Sequence, residues 1–190
     1  MLSAVTSFVQ FADTIRPLSR LEYDRLIAMG WFADERIELI EGLLVTMSPQ
    51  GSAHAALIAH LNELLVRLVG NRALVRPQLP LAVSDDSEPE PDFALVERRN
   101  YRAGHPTTAL LVIEVADSSM ARDRHKARLY AAADVAEYWI LDADVETLTI
   151  HRKPDPAQPG YRDVETLRSG DRVRLVAFPD IEVSVAELLG

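Results

Sequence analysis

The stretch from Ala109 to Asp142 constrains this chain more than any other, because a carboxylate lies inside its first apolar run. It reads ALLVIEVADSSMARDRHKARLYAAADVAEYWILD, which predicts a strand, a helix that ends near Ala133 and a second strand from Ala136 to Leu141. Glu114 lies in the first strand and Lys126 in the helix. Burial of a carboxylate among Leu, Val and Ile is costly unless a positive charge meets it. We therefore expect Glu114 to face a metal ion and Lys126.

Composition narrows the class of protein. The chain has 190 residues, of which 48% are hydrophobic and 26% charged, as in ordinary globular proteins with one core. We predict a single domain over residues 1–190, with an N-terminal arm at 1–17 and a strand-rich C-terminal extension at 143–190. No apolar stretch approaches the roughly 20 residues of a spanning helix, and the start of the chain lacks the basic residues of a secretory signal. We expect a cytoplasmic protein without a membrane partner.

The absence of cysteine excludes disulfides, thiolate zinc sites and cysteine nucleophiles. Any metal must therefore be bound by oxygen or imidazole, and the excess of 29 acidic over 20 basic residues favours oxygen ligands and hard cations such as Mg²⁺ or Mn²⁺. The net charge of −9 argues against wide, nonspecific adhesion to nucleic acid. It does not exclude a nuclease, whose metal site itself concentrates acids.

Capping boxes and apolar spacing predict the helices outside the central stretch. Ser19 and Glu22 predict a helix over 21–29, and a similar Ser-x-x-Glu pattern at 184–187 opens a short last helix. Leucines and an isoleucine between 57 and 68 recur at helical spacing, with Gly70 as the stop. His54 falls on the inward face of that helix, at its start.

Strand signals fill much of the remaining chain. The segment RIELIEGLLVTM, 36–47, predicts a hairpin that turns at Gly42, with Glu38 in its first strand. Further strands are predicted at 73–76, 79–83, 93–96, 146–152, 161–167, 172–176 and 181–183, with a proline-rich turn at 155–160. The pattern favours one α/β domain (α+β) with a mixed sheet.

Three residues suggest a chemistry. Asp92 follows a proline and heads one strand, Glu114 lies in the next strand, and Lys126 lies in the following helix. If the strands are neighbours, the two carboxylates converge, and such a pair requires a cation between them. A hard divalent ion and a lysine suit phosphodiester hydrolysis. For an arbitrary trio of this kind, however, a structural ion pair is the commoner explanation.

Several motifs together resemble a known family. Pro91-Asp92 followed by Glu114-Val115-Ala116 resembles the signature of the PD-(D/E)XK nuclease superfamily. More narrowly, ELIEG with a following MSP and a histidine, PD before a strand, VIEVADSS, KARLYA and EYWILD resemble the bacterial Uma-type family (Uma-two). This resemblance covers about 37–142. It implies a restriction-endonuclease-like core, in which helices flank a mixed sheet and further strands are added, and a magnesium-dependent nuclease that acts on DNA.

The resemblance also implies roles for individual residues. Asp92 and Glu114 correspond to metal ligands, assisted by the backbone carbonyl of Val115. Glu38 corresponds to a further acid that binds a second ion or holds a metal-bound water. The superfamily's usual lysine, two residues after the glutamate, is replaced here by Ala116.

In Uma-type proteins a lysine on the following helix is thought to substitute, and Lys126 matches it. Tyr130 lies four residues later on the same helix face. His54 matches a histidine at a helix start, without an assigned role. The aromatic pair Tyr138 and Trp139 is expected to pack in the core.

Two functions stay open, together with a weaker third. The first is a metal-dependent endonuclease, and the second is a noncatalytic binding or assembly module with the same fold. The third, a serine hydrolase based on Ser118 or Ser119, lacks the Gly-x-Ser-x-Gly pattern, and both serines are better explained as helix caps. The strand-rich tail offers a surface for a homodimer.

Overall fold

A computed structural model of the chain describes residues 16–116, 120–155 and 160–190, without the side chains of 120–124. The helices are α1 (Arg20–Ala28), α2 (Ser52–Val69), α3 (Met120–Ala132) and α4 (Val185–Leu189). The strands are β1 (Ile37–Ile40), β2 (Leu43–Thr46), β3 (Leu74–Pro77), β4 (Phe93–Val96), β5 (Leu111–Ala116), β6 (Glu137–Asp142), β7 (Thr147–Pro154), β8 (Tyr161–Arg168), β9 (Arg172–Arg174) and β10 (Glu182–Ser184). No helix in these ranges is both long and apolar enough to cross a membrane.

A six-stranded mixed sheet organises the described chain, in the order β3-β4-β5-β6-β7-β8. Its neighbouring strands are antiparallel except β5 and β6, which are parallel and are joined through α3. A helix is the usual connection between parallel neighbours. The strand–helix–strand prediction for 109–142 is thus confirmed. The pairs β1-β2 and β9-β10 form two separate two-stranded sheets.

Each face of the main sheet supports its own apolar cluster, because side chains alternate between the faces of a strand. On one face, Phe93, Leu95, Ile113 and Trp139 pack with the buried leucines of α2. The C-terminal segment closes the same cluster with Val173, Leu175, Ile181, Val183, Val185 and Leu188. On the other face, Ala94, Val96, Val112, Tyr138 and Ile140 pack against α3 through Ala127 and Tyr130.

Local signals predicted most elements well. Both capping boxes are present, with Ser19 and Ser184 each accepting from the backbone N–H of the glutamate three residues on. The 36–47 segment forms the β1-β2 hairpin, and its two turn residues Glu41 and Gly42 have φ of 47° and 77°. Positive φ at both positions fits a tight hairpin turn.

The predicted strand at 79–83 is wrong, since this described segment contains no strand. Pro77 and Pro80 lack ladder donors, and Gln78 has a left-handed φ of 50°, so the chain turns away from the sheet. Leu81 and Ala82 donate instead to the carbonyls of Pro89 and Pro106, at 2.9 Å each. The sequence expectations for residues 1–15, for capping by Ser118 and Ser119, and for 156–159 of the turn lie outside the described residues.

Candidate active site

Glu114 faces helix α3 because of its place in the strand alternation. It has the parity of Val112, which belongs to the cluster under α3, whereas Ile113 and Val115 point to the opposite face. Its Oε1 accepts from the ammonium of Lys126 at 3.2 Å and from the hydroxyl of Tyr130 at 2.9 Å. One turn of helix separates these two donors, so both reach one carboxylate oxygen.

Lys126 joins Glu114 to a second acid. Its Nζ lies 2.9 Å from Oε2 of Glu38, which comes from strand β1 outside the main sheet. The same Glu38 oxygen accepts from the backbone N–H of Glu90 at 3.2 Å. The Lys126 and Glu38 side chains are 5% and 0% exposed, so this is a buried charge cluster rather than a surface ion pair.

Two opposing effects set the protonation of Lys126. Burial alone would lower its pKa, but the charges of Glu114 and Glu38 and their hydrogen bonds outweigh burial and raise that pKa above its ordinary value. Burial, followed by the charge of Glu114, also raises the pKa of Tyr130 well above its usual range. At neutral pH both groups therefore keep their protons and act as donors.

Asp92 and Glu114 brace each other through the backbone. Strands β4 and β5 pair with Phe93 opposite Ile113, which brings Asp92 level with Glu114 at the end of the ladder. The N–H of Asp92 donates to Oε2 of Glu114 at 3.2 Å, and the N–H of Val115 donates to Oδ2 of Asp92 at 2.8 Å. The sequence-based convergence of the two acids is therefore observed.

Asp92 forms the outer part of the cluster. Its Oδ1 lies 3.4 Å from Nε2 of His54, at the start of α2, and 3.3 Å from the amide Nε2 of Gln78. The side chains of Asp92 and His54 are 14% and 15% exposed, compared with 7% for Glu114. The acids thus run from the fully buried Glu38 to the partly accessible Asp92, which gives a reactant an approach from the Asp92 side.

The carboxylates of the site offer oxygen ligands of the kind that a hard cation requires. Within the described chain, no three His, Asp or Glu side chains are grouped so as to hold a metal ion by themselves. Mg²⁺, however, commonly binds to one or two carboxylates and takes its other ligands from water and substrate phosphates. Asp92 and Glu114, with the Val115 carbonyl, fit that pattern.

Charge and hydrogen bonding agree with this fit. Glu38, Glu114 and Asp92 carry three carboxylates against the one ammonium of Lys126, which leaves negative charge in excess when His54 is neutral. In the described chain, Oε1 of Glu38 is buried and has no hydrogen-bond partner. A nearby cation offsets excess buried negative charge, and a water bound to it can donate a hydrogen bond to the unpaired Oε1.

The structure brings together all the site residues named from the sequence. Lys126 contacts both Glu38 and Glu114, and Tyr130 contacts Glu114. Asp92 and His54 extend the group outward. Ala116 ends β5 and offers no ammonium, so Lys126 is the lysine that meets Glu114.

The predicted core role of Tyr138 and Trp139 is also confirmed, since both are fully buried. Sequence reasoning missed Gln78 and the backbone of Glu90. Both contacts depend on the paths of proline-rich loops, and no local pattern in the sequence signals them.

Comparisons with known proteins identify the family and the fold of this chain. A family model described as "Uma2: Putative restriction endonuclease" matches residues 21–186. No curated protein matches the chain. The crystal structure of a "putative nuclease belonging to DUF820" from Anabaena variabilis ATCC 29413 has a TM-score of 0.66 and 17% identity, over 80% of this chain and 89% of that one. It has the same fold, which confirms the predicted restriction-endonuclease-like mixed sheet.

A second solved structure is more distant. The type IIG restriction endonuclease BpuSI has a TM-score of 0.44 and 18% identity, and the match covers 76% of this chain but only 17% of that enzyme.

Proposed function

This chain belongs to the Uma2 family, and from that membership and its buried acid–lysine cluster we propose that it is a metal-dependent endonuclease that hydrolyses phosphodiester bonds in DNA. The observation that supports the proposal most strongly is one connected cluster from four separate segments of the chain, in which Lys126 pairs with Glu38 and Glu114, and the N–H of Asp92 donates to Glu114. A cytoplasmic location, a single domain and a homodimer stay predictions.

In this proposal Asp92, Glu114 and the carbonyl of Val115 hold Mg²⁺ or Mn²⁺. When bound, such an ion polarises a phosphoryl oxygen and lowers the pKa of a coordinated water. The braces from the N–H groups of Asp92 and Val115 hold the two carboxylates in fixed positions before substrate arrives. Fixed ligands reduce the reorganisation required during reaction.

Lys126 acts as a fixed positive charge and hydrogen-bond donor. Its raised pKa excludes a role as a general base at neutral pH, because the ammonium form persists there. Its position between Glu38 and Glu114 lets it offset charge that builds on the phosphoryl group. Tyr130 is a positioning residue, since its hydroxyl holds Glu114. The free Oε1 of Glu38 accepts a hydrogen bond from a water in the site.

The test is cleavage of single-stranded, duplex and branched DNA with Mg²⁺ or Mn²⁺. We expect cleavage by the wild-type protein and a loss of about 100-fold or more in Asp92→Asn, Glu114→Gln and Lys126→Gln proteins that stay folded. Asp34→Asn, which changes an exposed acid, is the matched control and keeps full activity. Cleavage by Asp92→Asn at the wild-type rate contradicts the proposed site.

One observation favours the alternative, a noncatalytic binding or assembly module. Both carboxylate oxygens of Glu114 already accept hydrogen bonds, from Lys126, Tyr130 and the N–H of Asp92. An acid satisfied in this way can serve a purely structural ion pair. Absence of cleavage on all three DNA forms, together with no effect of Mn²⁺ on thermal stability, supports the module instead.

A further inference from the structure

A second concave site lies beside helix α1, and Asp92, Glu114 and Lys126 are not part of its lining. It is a cleft of about 430 Å³ between α1, the loop that follows β3 and the loop at 102–105. Ile27, Ala28 and Pro80 form apolar parts of its wall. The volume lies in the range of roughly 300 to 1,000 Å³ that is usual for small-molecule sites.

The cleft contains a buried acceptor. Glu88 lines it and is only 3% exposed, and its Oε2 has no hydrogen-bond partner within the described chain. Two basic side chains face this carboxylate, Arg20 near Oε2 and His105 near Oε1, and each is 3.9 Å away, beyond hydrogen-bond distance. A buried carboxylate oxygen without a hydrogen-bond partner is energetically costly. A ligand whose N–H groups donate to this oxygen therefore gains binding free energy.

The backbone fixes this acceptor in place. The N–H of Glu88 donates to the carbonyl of Leu39 at 2.8 Å, as part of an antiparallel bridge with β1. The position of the Glu88 backbone is therefore set by pairing with β1.

Two arginines lie at the rim of the same cleft, whose lining also includes the acids Asp24, paired with Arg20 at 3.5 Å, and Glu90. Arg20 and Arg102 both line it; the Arg20 side chain is 31% exposed and Arg102 is exposed. In the described chain, the guanidinium of Arg102 forms no ion pair. A ligand that fits has N–H donors at its inner end, for Glu88, and an anionic group at its outer end, for the arginines.

We propose that this cleft binds a guanine nucleotide. Guanine presents two adjacent donors, N1–H and the N2 amino group, that match the two oxygens of one carboxylate. Its phosphate meets Arg102 and Arg20, which bind phosphate through forked N–H groups. Adenine presents a ring acceptor beside its amino group and leaves one Glu88 oxygen unmet. This inference does not rest on the proposed hydrolysis of DNA.

The test is calorimetric titration of the full chain with GMP, IMP and AMP at pH 8, above the raised pKa of about 7 of Glu88, so that its carboxylate is ionised. EDTA in the buffer makes the result independent of any nuclease activity. We expect GMP to bind, and AMP and IMP to bind about tenfold more weakly or worse, because each lacks at least one of the paired donors. Glu88→Gln should weaken the binding of GMP by a similar factor, while Asp34→Asn should leave the affinity for GMP unchanged. The same titration with a short single-stranded oligonucleotide that contains one guanine, and with its adenine counterpart, shows whether the cleft also binds a guanine within a strand or only the free nucleotide.

Arg102→Ala tests the outer end of the cleft. In the wild-type protein GMP should bind more tightly than guanosine, and this difference should disappear in the variant. No binding of GMP at millimolar concentration, equal binding of AMP and GMP, or full GMP affinity in a folded Glu88→Gln protein each overturns the proposal.

Discussion

At the residue scale, Lys126 is the group on which the cluster depends most. It is the ammonium that pairs with both Glu38 and Glu114, in a region almost closed to water. Lys126→Met leaves those two carboxylates buried without a cation, and we expect a loss of about 3–5 kcal/mol in the free energy of unfolding. Urea denaturation measures this loss.

The matched control for this change is Arg128→Met on the same helix, where the side chain is 56% exposed. We expect that variant to lose less than about 1 kcal/mol. Addition of Glu38→Gln and Glu114→Gln to Lys126→Met should restore part of the stability, because it removes the unpaired charges. A loss below about 1 kcal/mol in Lys126→Met itself shows that the three groups are not electrostatically coupled.

Glu88 gives a residue-scale dependence on pH. Burial, then the charges of Asp24 and Glu90, raise its pKa from 4.5 to about 7, and Arg20 only partly opposes them. His105, 3.9 Å away, also faces it, and burial lowers the pKa of that imidazole. The folded state keeps a proton on Glu88 that the unfolded state loses above pH 4.5, so this group's stability contribution falls as pH rises from about 4.5 to 7.

Glu88→Gln removes this dependence. We expect the variant to be more stable than the wild type at pH 8, on the order of 2 kcal/mol, and similar to it near pH 4. Urea unfolding at the two pH values measures the difference, and Glu165→Gln, an exposed acid, is the control. Equal stability of Glu88→Gln and wild type at pH 8 contradicts the raised pKa.

At the element scale, the turn at Gly42 determines the β1-β2 hairpin. A comparison of Gly42 with Gly30 separates the cost of positive φ from the cost of a steric clash. Gly42 and Gly30 both have φ of 77°, a backbone conformation that a side chain strains. A Cβ at Gly30 meets open space, whereas a Cβ at Gly42 collides with Pro17. We expect Gly30→Ala to cost about 1 kcal/mol, and Gly42→Ala to cost clearly more. Thermal unfolding of both variants measures the difference, and equal costs show that Pro17 moves aside.

The same scale shows what sequence alone can predict. Strands and helices with clear periodicity were predicted within a few residues, because burial of an apolar face determines them. The alternation in β5 also predicts that Glu114 shares a face with Val112. The loops at 77–92 were not predictable, since their course depends on contacts with β1 and with Pro106 that are distant in sequence.

The residues of the candidate site also fall into two groups, those that sequence motifs predict and those that only the fold brings into contact. Motif resemblance named Asp92, Glu114, Glu38 and Lys126, but no pattern identified Gln78 or the Glu90 N–H as their partners. An acid in an apolar run is also insufficient evidence by itself. Glu137 begins β6, is fully buried, and pairs with Arg152 and the N–H of Val176. Among the described residues, it has no hydrogen bond or ion pair with the candidate site. Only the fold distinguishes these two kinds of buried acid.

At the scale of the whole molecule, a metal bound only by the folded state should raise its melting temperature. At Mn²⁺ concentrations 10 to 100 times the dissociation constant, the gain is about 1.4 to 2.7 kcal/mol. For a chain of this length that corresponds to a rise of roughly 3–10 °C, measured by calorimetry.

The controls separate site binding from general screening of an acidic protein with a net charge of −9. The rise should be absent in Asp92→Asn and should persist in Asp34→Asn. A shift of equal size in both variants, or in the wild type with NaCl at matched ionic strength, argues against a site at Asp92 and Glu114.

Glu38 belongs to a two-stranded sheet with four-residue strands, and that sheet is tied to the rest through backbone bonds to residues 86–88. So small a sheet has little stability of its own, and it can open as a local unit while the six-stranded sheet stays closed. We expect its amide hydrogens to exchange faster than those of β5 and β6. Each opening separates Glu38 from Lys126, so under the proposed endonuclease function the fraction of molecules competent for cleavage equals the closed fraction. Substitutions far from any acid can then change the rate of cleavage by shifting that equilibrium alone.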